Sequence, residues 1–268
     1  KPRDFKAGRY PGGERGTRAA GTDGDAGESS VSQYLRKQVR GTMLYAVGDI
    51  HGEQARLEEL VASLPLEPED ELVFLGDYID RGDDSRGVVD YLIRLRESRN
   101  CVFLIGNHES MFLDFLGWTD ERYLGGEAFL VNGGAHTLRS YGYFDLSETQ
   151  RSDFRLPPDH EDFYLSLQLH HHAGKYVFVH AGLDFPETAP HDVHAVLGRT
   201  TPRELLWNRT ACDLPHGLGM TMIYGHTPGE DFNVRWNLPY SIGIDTGAVY
   251  GGPLTAIRLP DETLFQVR

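Results

Sequence analysis

The sequence predicts an α/β fold, and three observations carry that expectation. Five short apolar runs, MLYAVGD, ELVFLGD, CVFLIGN, YVFVHAG and TMIYGHT, each close on Gly plus a polar residue or on His followed by Ala-Gly. Their length and their β-branched and aromatic content suit buried strands. The segments between the first three runs have helical periodicity, and strand–helix–strand alternation implies βαβ units with right-handed crossovers.

The elements follow in order. In EQARLEELVASL, residues Leu57, Leu60, Val61 and Leu64 fall at i, i+3, i+4 and i+7, one face of a helix. In SRGVVDYLIRLRES, Val88, Val89, Leu92 and Leu95 form a similar stripe. A third helix is expected after His108, with Met111, Phe112, Phe115 and Leu116 facing inward. Residues 118–175 are less regular, are broken at Pro157-Pro158, and read as a mainly helical insertion. Within them His170-His171-His172 precedes Ala-Gly-Lys and reads as loop and helix end rather than as a metal-binding run. The last fifty residues return to strand-like SIGIDTG, PLTAIRL and LFQVR. Residues 1–30 are rich in Gly and mixed charge, with no hydrophobic period. Such a segment buries too little apolar surface to offset its ordering entropy, so it is expected to be a disordered tail. The rest reads as one α/β domain whose strand-rich second half packs against the first.

Composition narrows the function classes. The formal charge of −14 opposes general binding to nucleic acid or anionic membranes, because phosphates would be repelled over most of the surface. No stretch approaches eighteen consecutive apolar residues, so a soluble, cytoplasmic protein is expected. Of the two cysteines, Cys101 opens an apolar run and reads as a small buried side chain. Neither cysteine sits in a Cys-x₅-Arg setting, which argues against a thiol nucleophile.

The strand ends carry the chemistry. They read Gly48-Asp49-Ile50-His51-Gly52, Gly76-Asp77-Tyr78-Ile79-Asp80-Arg81-Gly82, Gly106-Asn107-His108-Glu109, His180-Ala181-Gly182 and Gly225-His226. In open α/β sheets ligands bind beyond the carboxyl ends of strands. A lone Asp-x-His is ordinarily a loop, and a lone His a packing residue. Five such strand ends in one chain point instead to oxygen and imidazole ligands for divalent ions of borderline hardness. Asp49 and His51 are two apart, so in extended geometry both side chains point to one side.

The ordered set GDIHG, GDYIDRG, GNHE, HAG and GHT resembles the phosphoprotein phosphatase family of dinuclear metallophosphoesterases, and most of all its compact bacterial and phage Ser/Thr protein phosphatases. The resemblance implies a calcineurin-like metallophosphoesterase fold, with central mixed β-sheets in a sandwich flanked by helices. It spans residues 42–268 as a catalytic domain and leaves residues 1–41 as a tail outside it. It implies that Asp49, His51 and Asp77 bind one metal, and that Asp77, Asn107, His180 and His226 bind the other. The two ions are expected to be Mn²⁺, with Fe or Zn²⁺ compatible with the same ligands. A hydroxide held between them would attack phosphorus directly. His108 would be the general acid, Asp80 its orienting partner, and Arg81 a phosphate ligand. Arg209, in LLWNRT, is the expected second phosphate-binding arginine, although the residues after it depart from the family pattern. Tyr250 is expected either to line the pocket or to pack. The implied activity is that of a monomeric Ser/Thr protein phosphatase acting on phosphoproteins or phosphopeptides, with specificity set by residues 118–175 and 184–220. The alternative is a symmetrical dinucleoside tetraphosphatase of the same superfamily; those relatives carry a GD-x-x-A-RG-like second block and GNHD, where this chain has Asp80 and Glu109.

Overall fold

A computed structural model describes residues 41–144, 154–185, 192–210 and 214–268. The expected tail lies outside the described residues apart from Gly41, and so does Cys212. Strands β1 (Leu44–Val47), β2 (Glu71–Phe74) and β3 (Asn100–Phe103) pair in parallel. They are joined by helices α1 (Gln54–Ser63) and α2 (Ser85–Arg96), as the alternation requires. Helix α3 (Asn107–Phe115) starts within four residues of the end of β3.

Among the described residues two helices follow, α4 (Gly134–Ser140) and α5 (Pro158–Leu165). The chain then enters a second sheet, built from β4 (His170–Ala173), β5 (Tyr176–Val179), β6 (Thr221–Tyr224), β7 (Arg235–Asn237) and β8 (Ser241–Gly243). Between β5 and β6 lie α6 (Val193–Arg199) and α7 (Pro202–Trp207); α7 opens on a Thr201/Glu204 capping box with Pro202 at its start. The last strands, β9 (Leu254–Leu259) and β10 (Thr263–Val267), return to the first sheet, where β9 lies antiparallel to β1. The sheet orders are β10-β9-β1-β2-β3 and β4-β5-β6-β8-β7.

Burial explains why the strands read as apolar runs without alternation. Tyr45, Val47, Leu72 and Phe74 pack on the helical side with Leu57, Leu60, Val88 and Leu92. Their neighbours Ala46 and Val73 face the other way, into a core shared with Phe178, Ile223 and Ile242 of the second sheet. Val177, Val179, Met222 and Tyr224 cover the far face of that sheet, against α6 and α7. Strands covered on both faces have no polar side. Each fully buried large side chain contributes roughly 1.5–3 kcal/mol.

Two expectations need correction. His170-His171-His172 is neither loop nor helix end: it forms β4, antiparallel to β5. The run is tolerated in a strand because its side chains are partnered. His171 Nε2 lies 2.8 Å from Glu71 Oε1 on β2, and its ring stacks on Phe178. The 118–175 insertion is also less helical than expected. Among its described residues, two short helices and two single 3₁₀ turns carry the helical content.

Candidate metal and phosphate site

Backbone geometry gathers the strand-end residues. The loops after β1 and β2 interlock: Ile50 and His51 N–H donate to the Asp77 carbonyl, Gly52 N–H to Tyr78, and Gly82 N–H to His51. His51, Asp77, Asp80 and Arg81 all have positive φ, 48°, 53°, 73° and 70°. Such left-handed backbone costs free energy in non-glycine residues and persists only where surrounding contacts impose it. Glu109 supplies much of that imposition. Its buried carboxylate accepts N–H bonds from Asp77 (2.9 Å), Tyr78 (2.8 Å), Ile79 (3.3 Å) and Gly106 (2.9 Å). Residue 106 must be glycine for a related reason, since a Cβ there would run into Asp77 Oδ1 and its backbone nitrogen.

The second sheet is tied to this scaffold by side chains. His180 Nδ1–H donates to the Leu75 carbonyl at 2.8 Å, and both oxygens of Asp49 accept the His226 N–H at 3.1 and 2.9 Å. Two groups of buried ligand atoms result, each within 4.8 Å: His51, Asp77 and His108, and Asp77, His180 and His226. Asp77 belongs to both. Asn107 Oδ1 joins the second group, 3.0 Å from His180 Nε2 and 2.8 Å from His226 Nδ1. Asp49 is buried beside them, and its carboxyl accepts the His226 backbone N–H.

The chemistry of these contacts calls for cations. His51 Nδ1 donates to the Ile79 carbonyl and His180 Nδ1 to Leu75, so in the neutral rings both Nε2 atoms carry lone pairs. The His180 lone pair faces acceptors, Asp77 Oδ1 at 3.4 Å and Asn107 Oδ1 at 3.0 Å, while that of His51 accepts from Arg81 with Asp77 Oδ2 3.5 Å away. His226 Nε2 is buried with no hydrogen-bond partner. Burial pushes His51 down to about 3 and His226 to about 2, and lowers His180 as well, so all three are neutral, as ligands must be. Burial raises the Asp49 carboxyl well above the usual range, with the charges of Asp245 and Asp77 adding to it. Burial also raises Asp77, but attraction to any proton carried by His180, His108, His51 or His226 outweighs it and keeps the carboxyl the group that gives its proton up first. Neutral imidazole nitrogens aimed at crowded carboxylates fit divalent cations between them.

Around this centre sit the remaining expected residues. His108 Nδ1 and Asp80 Oδ2 share a buried hydrogen bond of 2.6 Å. Burial lowers His108 to about 4 and raises Asp80 well above the carboxylate range, two shifts that both favour a neutral pair with the shared proton on Asp80. The far end of the pair does not depend on that choice. With one extra proton on either Oδ2 or Nδ1, Nε2 carries a hydrogen. Arg81 donates to His51 Nε2 at 2.5 Å, and its guanidinium lies 5.5 Å from the ring centre of the half-exposed Tyr250. Arg209 is exposed and reaches Thr227 Oγ1 at 3.4 Å; its charge depresses His108, His180 and His226.

Sequence reasoning passed over three residues here. Asp245 is buried near Asp49 and is pushed up to about 7, chiefly by burial. It ends β8 in the same strand–polar pattern that singled out the other five, so that pattern would have found it. Glu109 was noted only as a motif letter, and Thr137, buried against Asp80, has no signal in its own surroundings.

A two-sheet sandwich with Asp, Asn and His side chains gathered at its strand ends is the arrangement expected of a metallophosphoesterase. Residues 43–252 match the calcineurin-like phosphoesterase family, and the chain belongs to it. It is 33% identical to serine/threonine-protein phosphatase 1 of Salmonella typhimurium over 81% of this chain and 91% of that one. It is 28% identical to the asymmetrical bis(5'-nucleosyl)-tetraphosphatase PrpE of Geobacillus sp., over 81% and 91%. A symmetrical bis(5'-nucleosyl)-tetraphosphatase of Nitrosospira multiformis is 25% identical over 83% and 94%. Among solved structures, a protein serine/threonine phosphatase from Saccharomyces cerevisiae shares the fold at a TM-score of 0.54 and 15% identity, over 87% of this chain and 82% of that one. The protein is therefore a metal-dependent phosphoesterase. Among the described residues no helix is long and apolar enough to cross a membrane.

Proposed function

We propose that the protein is a Ser/Thr protein phosphatase that hydrolyses phosphoproteins or phosphopeptides. Asp49, His51 and Asp77 would hold one divalent cation, and Asp77, Asn107, His180 and His226 the other, with Mn²⁺ the proposed ion. Bound there, the cations would supply Lewis-acid stabilisation of phosphoryl charge and make water more acidic.

The chain's own residues account for the remaining steps. Arg81 and Arg209 bind the phosphoryl oxygens with charge-assisted hydrogen bonds. His108 Nε2–H hands its proton to the departing oxygen, and Asp80 fixes the ring from behind. The observation that carries the reading is the buried 2.6 Å Asp80–His108 pair. Serine and threonine leave as alkoxides, which are strongly basic and need a proton in the transition state. A nucleotide leaving from a phosphoanhydride needs far less. The 33% identity to a serine/threonine-protein phosphatase supports the same reading.

The second reading is a dinucleoside tetraphosphatase, favoured by the relatives that bear that name. A panel of phosphoserine and phosphothreonine peptides beside diadenosine tetraphosphate separates the two. It should be assayed after chelation, with Mn²⁺, Fe²⁺ or Zn²⁺ then added back singly. Preference for the peptides by at least about tenfold in kcat/KM, lost on chelation, is expected. A preference for the dinucleotide of that size would overturn the assignment.

A further inference from the structure

We infer that Thr137, on α4, is a positioning residue for the Asp80–His108 pair, and that through it the 118–175 insertion takes part in catalysis. This rests on the proton-donor role given to His108 above. Thr137 is fully buried, and its hydroxyl lies 2.5 Å from Asp80 Oδ1. With the shared proton on Oδ2 or on His108 Nδ1, Oδ1 only accepts, so the threonine proton points at it. Ser85 Oγ lies 3.0 Å from Thr137 Oγ1 and, with that proton already committed, must donate its own. A chain therefore runs from Ser85 to Thr137 to Asp80 Oδ1, and leaves Oδ2 turned toward His108 Nδ1 at 2.6 Å. The same two hydroxyls accept the Asp80 backbone N–H, at 3.0 Å for Ser85 and 2.9 Å for Thr137. They thus hold both the rotamer of Asp80 and its left-handed backbone, φ 73°. A carboxylate without those contacts is free to rotate about χ2, and His108 loses the partner that sets its ring plane.

The test compares wild type, Thr137→Val, Thr137→Ser and Ser85→Ala on a phosphoserine peptide and on p-nitrophenyl phosphate. Metal content and Tm are measured alongside. For Thr137→Val, kcat on the phosphoserine peptide should fall about tenfold to a hundredfold, part of the contribution a general acid makes. On p-nitrophenyl phosphate, whose leaving group needs little proton help, the fall should stay within about threefold, with KM and bound metal unchanged. Thr137→Ser, which keeps the hydroxyl, should recover wild-type turnover to within about threefold, and Ser85→Ala should show a weaker loss of the same kind. Equal losses on both substrates, or no rescue by serine, would overturn the inference. If Thr137→Val does not fold, the Ser85→Ala and Thr137→Ser pair decides: a substrate-independent effect of Ser85→Ala refutes the relay. A wild type inactive on both substrates would instead refute the phosphatase reading itself.

Discussion

The strand-end loops of the first sheet and those of the second reach the same pocket by different means. After β1 and β2, residues 48–52 and 76–82 interlock through their own backbones and hang on the Glu109 carboxylate, with four non-glycine residues in left-handed conformations. After β5 and β6, one backbone bond joins the loops, Gly225 N–H to the His180 carbonyl, and the side chains also lean across: His180 on Leu75 just after β2, and left-handed His226 on Asp49 just after β1. The first half has the denser set of internal bonds, and the histidines of the second lean on it. Damage to the first half should therefore spread, whereas damage to the second should stay local.

The largest effect should come from Asp77, the one side chain in both ligand groups. Asp77→Asn is expected to lower kcat/KM at least about a thousandfold, more than loss of a single transition-state contact. Elemental analysis should show loss of both ions together; a variant retaining two ions per chain would mean that Asp77 is not shared. His226→Asn should remove one ion only, with activity down about a hundredfold or more. Its Tm should stay within a few degrees of wild type, since the imidazole holds the first half only through one hydrogen bond, to the Asn107 side chain.

His108→Asn sharpens the contrast further, because it lies between the two halves yet is proposed to hold no metal. Both ions should remain. Turnover of phosphoserine peptides should drop about 10²–10⁴-fold and that of p-nitrophenyl phosphate much less. Parental turnover of the peptide would exclude His108 as proton donor.

The smallest effect tests the contact between the sheets away from the site. The Glu71 carboxylate accepts from His171 and from Asn100, and those hydrogen bonds, the first above all, lower its pKa. A depressed carboxylate adds stability above its unfolded value, near pH 4.5, and loses it as pH falls through the lower folded value. Glu71→Gln should cost about 1 kcal/mol or less at pH 7 and little below pH 4, with kcat unchanged. Urea denaturation at the two pH values reads this directly.

Much of the fold was legible because its signals are local. Apolar runs of four to six residues stand out where both faces of a strand are covered, as with Val73 and Phe74 on opposite sides of β2. The His170–His172 strand was not legible, since histidines carry no strand signal until Glu71 and Phe178 are beside them. Nor was α4 as a contributor to the site: Thr137 lies 57 residues from Asp80, within a stretch of weak periodicity.

The sequence by itself determined which residue types end the strands, and hence that oxygen and imidazole ligands would meet at one edge of an α/β sheet. Strand polarity and βαβ handedness suffice for that, because both follow from local chirality. Only the tertiary structure decided that β9 returns beside β1, that Asp49 faces the His226 backbone, and that the Thr137 hydroxyl reaches Asp80 from α4. Those are contacts between groups far apart in the chain. Their geometry depends on how two sheets and their covering helices pack, and no stretch of sequence records that alone.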